Sequence, residues 1–203
     1  MLSRGRYAAF FLILAFLLLF SLNAGCSSKG SQSGGTGGLA PNPGSSASSI
    51  QDITSRNPPK ISLENATDSL TVAEQDGGID IKGMSIHQVF GYGVDSSGLA
   101  RTWVLGMQGG GKTTLLSYTA GEGEWKSLDM STIVLPGSEV VMNDLMSPQD
   151  LFQKNSDQIV RAMNKVRVDE ADLSLADGSY QVTIHSQTDS MTLVFNGKTG
   201  EKE

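Results

Sequence analysis

Three short segments near the C-terminus carry apolar side chains at alternate positions. They read ADLSLA, YQVTI and MTLVF and are separated by the turn sequences DG and QTDS. Successive side chains of a strand point to opposite faces, so this alternation predicts three strands with a shared buried face. The turns between them predict an antiparallel meander. The positions assigned to the buried face are Leu173, Leu175, Tyr180, Val182, Ile184, Met191, Leu193 and Phe195.

The segment before this meander has apolar residues at helical spacing. Ser147 suits the N-cap, Pro148 suits the first helical position, and Asp150 supplies an acid three residues after the cap. We therefore predict one amphipathic helix at about residues 148–165, with its apolar stripe in the core. The stripe consists of Leu151, Phe152, Ile159, Val160, Met163 and Val166.

The middle of the chain contains further candidate strands. LARTWVLGM and TTLLSYTA predict a strand pair, EWKSLDM and STIVLPG are the next strand candidates, and SIHQVFGYG is either a short helix or a strand. The predicted fold class is therefore α+β, with antiparallel sheets and one clear helix. Two similar small α+β halves would use the available length well.

The first 25 residues have the parts of a secretory signal. Arg4 and Arg6 precede an apolar run at residues 8–20, and small residues follow it. The run is shorter than the ~18 to 20 residues that comfortably cross a bilayer, which favours cleavage. An uncleaved membrane anchor is the alternative.

Cys26 is the only cysteine, so it cannot form a disulfide within the chain. The stretch LNAGC that ends on it resembles the lipobox of prokaryotic lipoproteins, although Asn23 stands where that family usually has leucine. The resemblance implies that Cys26 carries lipid, with acyl chains such as palmitate, and anchors the chain to the cell membrane or the outer membrane. The alternative is a free thiol beside an ordinary cleavage site.

Composition divides the rest of the chain into a tether and a domain. Residues 26–59 combine the lipidation site with a stretch rich in Gly, Ser and Pro that predicts a flexible tether, and Pro58 and Pro59 predict extended backbone before the first strand. Residues 60–203 form the predicted extracytoplasmic domain, in which we expect the N-x-T sequon at Asn65 to be a surface turn.

Charge argues against a nucleic-acid partner. The chain has 15 Lys and Arg against 21 Asp and Glu, and losing Arg4 and Arg6 with the leader would leave 13 basic residues. Phosphate affinity comes chiefly from Lys and Arg, so a domain this acidic is a poor nucleic-acid binder.

The stretch GMQGGGKTT matches a phosphate-binding loop at Gly106, Gly111, Lys112 and Thr113. Such a loop must open a helix, yet the residues that follow favour a strand, and nucleoside triphosphates are scarce outside the cytoplasm. We therefore predict a hairpin turn in which residues 109–111 supply positive φ angles. The alternative is a nucleotide-binding protein that uses residues 106–113, with Asp144 as the best candidate magnesium ligand.

No other pattern predicts catalysis or a cofactor. The two histidines, His87 and His185, have no second cysteine beside them to complete a zinc site, and no G-x-S-x-G motif is present. Asp169, Glu170 and Asp172 predict a solvated acidic turn, with a weak calcium site as the alternative. Of the two tryptophans, Trp103 and Trp125, we expect at least one in the core.

Residues 150–203, a helix followed by a meander that ends on TGE at 199–201, resemble the PepSY family of exported α+β modules. This resemblance implies a binding or protease-modulating module rather than an enzyme. We therefore expect a membrane-anchored extracytoplasmic lipoprotein without cofactor that binds an envelope protein. The alternatives are a structural envelope component and the nucleotide-binding protein described above.

Overall fold

A computed structural model describes residues 58–130 and 133–203. The predicted leader, Cys26 and most of the tether therefore lie outside the described residues. The described chain forms one seven-stranded sheet in which every neighbouring pair is antiparallel, in the order β4-β3-β2-β1-β5-β6-β7. The α+β class predicted from the sequence is confirmed. The strands are β1 (Ser85–Val94), β2 (Thr102–Gly109), β3 (Lys112–Thr119), β4 (Trp125–Asp129), β5 (Ala171–Ala176), β6 (Ser179–His185) and β7 (Ser190–Asn196).

The sheet consists of two meanders joined edge to edge, because β1 pairs with β5. A helical segment precedes each meander along the chain, so two α+β halves are visible in the topology. We call α1 (Leu63–Gln75) with β1–β4 the first half, and the later helices with β5–β7 the second half.

The second half follows the sequence pattern closely. All three strands are present, and Asp177 and Gly178 have the positive φ angles, 49° and 78°, that a tight two-residue hairpin turn requires. The predicted inward positions are buried, except that Met191 is only partly so. A final turn at Asn196 is also present, since its side-chain oxygen accepts hydrogen bonds from the amides of Lys198 and Thr199.

The helix predicted at 148–165 is two helices, α2 (Pro148–Lys154) and α3 (Ser156–Val166). Ser147 caps α2 as predicted, because its hydroxyl accepts from the amide of Asp150. The break is at the buried Asn155, whose side-chain amide donates to the carbonyls of Leu151 and Gly200. These bonds tie the junction to the final turn and hold the backbone away from helical geometry. The prediction for Val160 is also wrong, since its side chain is exposed.

The first half begins with a helix that the sequence analysis missed, α1 (Leu63–Gln75). Ile61 forms an isolated antiparallel bridge with Ala100 and Ser62 has extended angles, but a helix follows them where we predicted a strand. The surface turn predicted at Asn65 is also wrong, since Asn65 lies in the first turn of this helix. Ser62 caps the helix, and Leu63, Ala66 and Leu70 bury one side of it. Several Thr and Ser residues weaken the helical signal in the sequence, but here they bond to backbone carbonyls of the preceding turn.

The segment after β4 also differs from the prediction. The described part of STIVLPG, residues 133–137, contains no strand, and Met142–Asp144 form a short 3₁₀ helix. Asp144 therefore does not end a buried strand, and it is exposed. SIHQVFGYG, in contrast, is resolved as part of strand β1.

One face of the sheet is covered by the helices. Strand register places Trp103, Tyr118 and Trp125 on this face together with the buried positions of β5–β7. Both indoles are buried, and each donates a hydrogen bond towards the N-terminal helix: Trp103 Nε1 to the carbonyl of Ile61 at 3.0 Å, and Trp125 Nε1 to that of Ala66 at 3.1 Å. Within the described ranges, no helix combines the length and the apolar character needed to cross a bilayer.

Candidate functional site

In the part of the chain that the structure describes, the face of the sheet opposite the helices is only partly covered. The segment 133–140 crosses it after β4 and ends at β1, where the amide of Val140 donates to the carbonyl of Ile86 at 2.7 Å. Leu135 is buried directly above Gly106, so close that a Cβ on Gly106 would lie 2.9 Å from the Leu135 Cδ2 atom. Gly106 is therefore needed for close packing of this segment on β2.

The rest of this face, which we call the open face, is centred on Phe90 and Tyr92 of β1. Their rings are stacked, with centroids 6.2 Å apart and planes at 16°. Val89 and Gly91 face the core. Phe90 and Tyr92 are at the alternate positions of the strand, so their rings point outward, and both remain partly exposed. Polar neighbours flank the pair: Ser174 is paired with Phe90, and Thr102 is paired with Tyr92.

A carboxylate lies beside the aromatic pair. Asp172 Oδ1 accepts from the amide of Gly93 at 3.3 Å, and Oδ2 lies 3.6 Å from Nε2 of the exposed His185. Burial raises the pKa of Asp172, against the opposing effects of the Gly93 amide, His185 and Arg101. Burial and the charge of Asp172 raise the pKa of Tyr92 to about 12, so the phenol is a neutral donor at ordinary pH.

Ion pairs connect this site to the start of the domain. Lys60 Nζ lies 2.9 Å from Glu170 Oε1 and 3.4 Å from Asp95 Oδ2, and the guanidinium of Arg101 forms two hydrogen bonds with Glu170. Of the predicted acidic turn, only Asp169 is fully exposed, since Glu170 and Asp172 are partly buried and paired. No group of three or more potential metal ligands occurs in the part of the chain that the structure describes.

The glycine-rich loop is the turn of the β2–β3 hairpin. Gly109 pairs with Lys112, and between them Gly110 and Gly111 have φ angles of 57° and 77°. The hairpin predicted here is present, but only two of the three glycines have positive φ. Gly109 is required for another reason, because its backbone packs against the carbonyl of Gly83 with no room for a side chain.

The residues of the candidate phosphate loop do not form a cradle. Gly106 is in the middle of β2 beneath the crossing segment, and Lys112 and Thr113 begin β3, with Thr113 buried. A strand follows the glycines, so the helix N-terminus that would hold the phosphates is absent at this point. The nucleotide-binding alternative requires a helix directly after the glycines, and β3 is found there instead.

A cleft of about 530 Å³ lies between the end of α3 and the β6–β7 turn, away from the open face. Its lining is mostly polar and combines two cations with one carboxylate: Lys165, Val166, Arg167, Ser186, Gln187, Thr188 and Asp189.

No pattern in the sequence predicted that Phe90, Tyr92 and Asp172 form one site. The signal for the first two was the alternation within SIHQVFGYG, which puts two aromatic side chains on the same face of a strand. No local pattern shows that β1 pairs with β5, and it is this long-range pairing that brings Asp172 to Tyr92.

No protein-family model matches the chain, and no curated protein matches it either. Among solved structures, the chain is similar to a crystal structure described as a candidate lipoprotein from Clostridium difficile 630. The two chains are 14% identical with a TM-score of 0.43, and the alignment covers 68% of this chain and 89% of the other. A likeness at this level carries no argument about the function of this chain.

Proposed function

We propose that the chain is a membrane-anchored extracytoplasmic lipoprotein whose domain binds an envelope protein. The leader with Arg4 and Arg6, the cysteine directly after it and the tether support the anchoring. Acyl chains on Cys26 would hold the protein on the cell membrane or the outer membrane, since each buried methylene contributes ~0.8 kcal/mol. The tether then allows the domain to reach partners away from the lipid surface.

The observation that carries the binding proposal is the stacked pair of Phe90 and Tyr92 on the open face. Aromatic side chains that stay partly exposed beside hydrogen-bonding groups are enriched where proteins bind partners. Thr102, Ser174 and Asp172 supply such groups around the pair. A partner that covers this surface would bury two aromatic rings and could accept a hydrogen bond from the Tyr92 phenol.

Anchoring is tested by the intact mass of protein extracted from membranes. We expect loss of residues 1–25 and a diacylglyceryl adduct on Cys26, together with release from the membrane fraction in Cys26→Ala. Unprocessed full-length chain found free in the cytosol would contradict both the anchoring and the location.

Binding is tested by capture of envelope proteins on the immobilised full-length protein. The Phe90→Thr/Tyr92→Thr variant keeps β-forming residues while removing both rings, and we expect at least a tenfold loss of the captured partner. Gln158→Ala changes an exposed residue of α3, away from the open face, and is the matched control. Equal capture by all three proteins would refute the open face as the binding surface.

Protease modulation of the PepSY kind is a narrower form of the proposal. It predicts that the full-length protein inhibits an envelope protease, and that the Phe90→Thr/Tyr92→Thr variant inhibits it less. Capture that depends on the rings without any inhibition would favour a binding module of another kind.

A further inference from the structure

A serine and a histidine are hydrogen-bonded on β1, at the covered end of the sheet face. Ser85 Oγ lies 3.0 Å from Nε2 of His87, and Nδ1 of the same ring lies 2.9 Å from the carbonyl oxygen of Pro136 in the crossing segment. Both side chains are only partly buried, so small molecules can reach them. Neither residue belongs to the binding surface described above.

The contact with Pro136 determines which ring nitrogen carries the proton. A carbonyl oxygen only accepts hydrogen bonds, so Nδ1 must be the N–H donor. In the neutral imidazole, Nε2 is then unprotonated and directs its lone pair at the Ser85 hydroxyl. The hydroxyl has a single proton, and His87 Nε2 at 3.0 Å is a nearer acceptor than the Gln108 carbonyl at 3.3 Å.

The backbone is irregular where this pair is formed. The register of β1 against β2 shifts between Ile86 and Gln88, which leaves His87 in a bulge. Bulges redirect a side chain relative to the regular strand and occur often beside active sites. At this bulge, Ser85 and His87 contact each other while the ring also bonds to Pro136.

We propose that Ser85 is a nucleophile activated by His87 as general base, with activated esters or thioesters as the acyl donors. The arrangement has the three parts of an activated nucleophile: a hydroxyl, a base within hydrogen-bond reach, and a third group that orients the base. Base and nucleophile alone suit acyl donors with good leaving groups, because an amide has a less electrophilic carbonyl and a poor amine leaving group.

The reaction forms an Oγ–C bond between Ser85 and the acyl carbon as the hydroxyl proton passes to Nε2. The tetrahedral intermediate then collapses, the bond from carbon to the leaving group breaks, and Nε2 returns the proton to the departing oxygen or sulfur. The acyl group stays on Oγ until water, deprotonated by the same nitrogen, hydrolyses the ester. Water is the one further reactant, and the proton that it gives to Nε2 passes to Ser85 Oγ as the Oγ–C bond breaks, which releases the carboxylic acid and restores the hydroxyl.

The test is covalent labelling of the full-length protein in detergent. A fluorophosphonate forms an Oγ–P bond and releases fluoride with the proton, and p-nitrophenyl acetate leaves an acetyl group. We expect one adduct, mapped by peptide mass to Ser85. General base catalysis typically contributes at least about 100-fold, so His87→Gln should slow labelling by that factor, and Ser85→Ala should abolish it.

The chain provides matched controls for both residues. His185→Gln removes the other histidine, and Ser97→Ala removes a hydroxyl that donates to the Asp95 carboxylate at 2.6 Å instead of to an imidazole. Both controls should label as the unaltered protein does. An adduct mapped to any other residue, no adduct at all, or equal rates in His87→Gln would overturn the proposal, and mapping on the unaltered protein decides it even if a variant fails to fold.

Discussion

In the second half of the sheet, alternating apolar side chains on β5–β7 fill the buried face, whereas in the first half two tryptophans occupy much of it. The Trp103 ring lies against Gly91 of β1, where a Cβ on Gly91 would be 2.6 Å from its Cζ3 atom. Both indoles also bond to backbone near or within α1. The packing of the first half thus depends on a glycine that leaves room for an indole ring and on hydrogen bonds that the two indoles donate. The packing of the second half depends on apolar side chains at alternate positions of its strands.

The largest expected effect is that of removing one large core side chain from each half. We expect Trp103→Ala and Phe195→Ala each to lower the free energy of unfolding by about 3–5 kcal/mol, because both side chains are fully buried. The β1–β5 pairing makes the sheet continuous, so each variant should unfold in a single transition. Denaturant titrations followed by tryptophan fluorescence and by far-UV circular dichroism should have the same midpoint. The fluorescence reports on the first half, from Trp125 alone in Trp103→Ala and from both indoles in Phe195→Ala. Two separate midpoints would show that the halves unfold independently.

A smaller effect is expected from adding one methyl group where the first half needs glycine. Gly91→Ala should cost about 1–3 kcal/mol through overpacking against the indole. Gly178→Ala is the matched change in the second half, where an added Cβ would meet no atom within 4 Å. Its only cost is that alanine must adopt a φ of 78°, which should lower the free energy of unfolding by about 1–2 kcal/mol.

The cause of the Gly91 effect can be isolated with a double-mutant cycle. The atoms that a Cβ at residue 91 would meet belong to the six-membered ring of the indole. Gly91→Ala should therefore cost less in a Trp103→Phe background, and the coupling free energy measures the contact. Equal costs in both backgrounds would show that steric contact with the indole is not the reason for glycine at this position.

The same contrast explains what could be predicted from the sequence. Period-2 alternation, the Asp177–Gly178 turn and the Ser147 cap are local signals, and the structure confirms each of them. The requirement for glycine at residues 91 and 106 depends on Trp103 and Leu135, which approach from other parts of the chain. No local pattern carries that information. Helix α1, which was not predicted, is a related case. Its residues have weak helix propensities, and burial of Leu63, Ala66 and Leu70 stabilises the helix instead.

The candidate site was still less predictable. Tyr92 and Asp172 meet only through the β1–β5 pairing, and His87 meets Pro136 only because the segment after β4 crosses the sheet. We predicted a strand for that segment from its apolar run. In the structure, Leu135 is buried over Gly106 while Val134 is almost fully exposed, so the run fills one position on the sheet face and does not form an edge strand.

Helix capping offers a direct comparison of the two halves. Ser62 and Ser147 each accept a hydrogen bond of 3.1 Å from the amide three residues later, at the starts of α1 and α2. Each change to alanine should cost about 1 kcal/mol. Ser62 is buried, whereas Ser147 is only partly buried. Removing the Ser62 hydroxyl leaves the amide of Asn65 without its acceptor at a site with less access to water, where an unpaired amide costs more free energy. Ser62→Ala should therefore cost more in urea titrations, and the reverse order would contradict the role of burial.

The smallest expected effect is a change in the pH dependence of stability, and it has opposite signs for two carboxylates. Burial raises the pKa of Asp172 above its ordinary value. As pH rises, the unfolded chain loses this proton first, so the free energy of unfolding falls until pH passes the folded-state pKa and is level above it. Burial also works against ionisation of Asp95, but bonds from the Ser97 hydroxyl, the amides of Ser97 and Leu99, and the charge of Lys60 outweigh it and lower that pKa.

The contribution of Asp95 is therefore present above the ordinary carboxyl pKa and lost as pH falls through the lowered one. Asp172→Asn should remove a decline in stability with rising pH, and Asp95→Asn should remove an increase that lies at more acidic pH. Urea midpoints measured from acid to neutral pH, each compared with the unaltered protein, give the sign for each carboxylate. The same sign for both variants would mean that the amides and hydroxyl around Asp95 do not favour its ionised form, and that its surroundings act as those of Asp172 do.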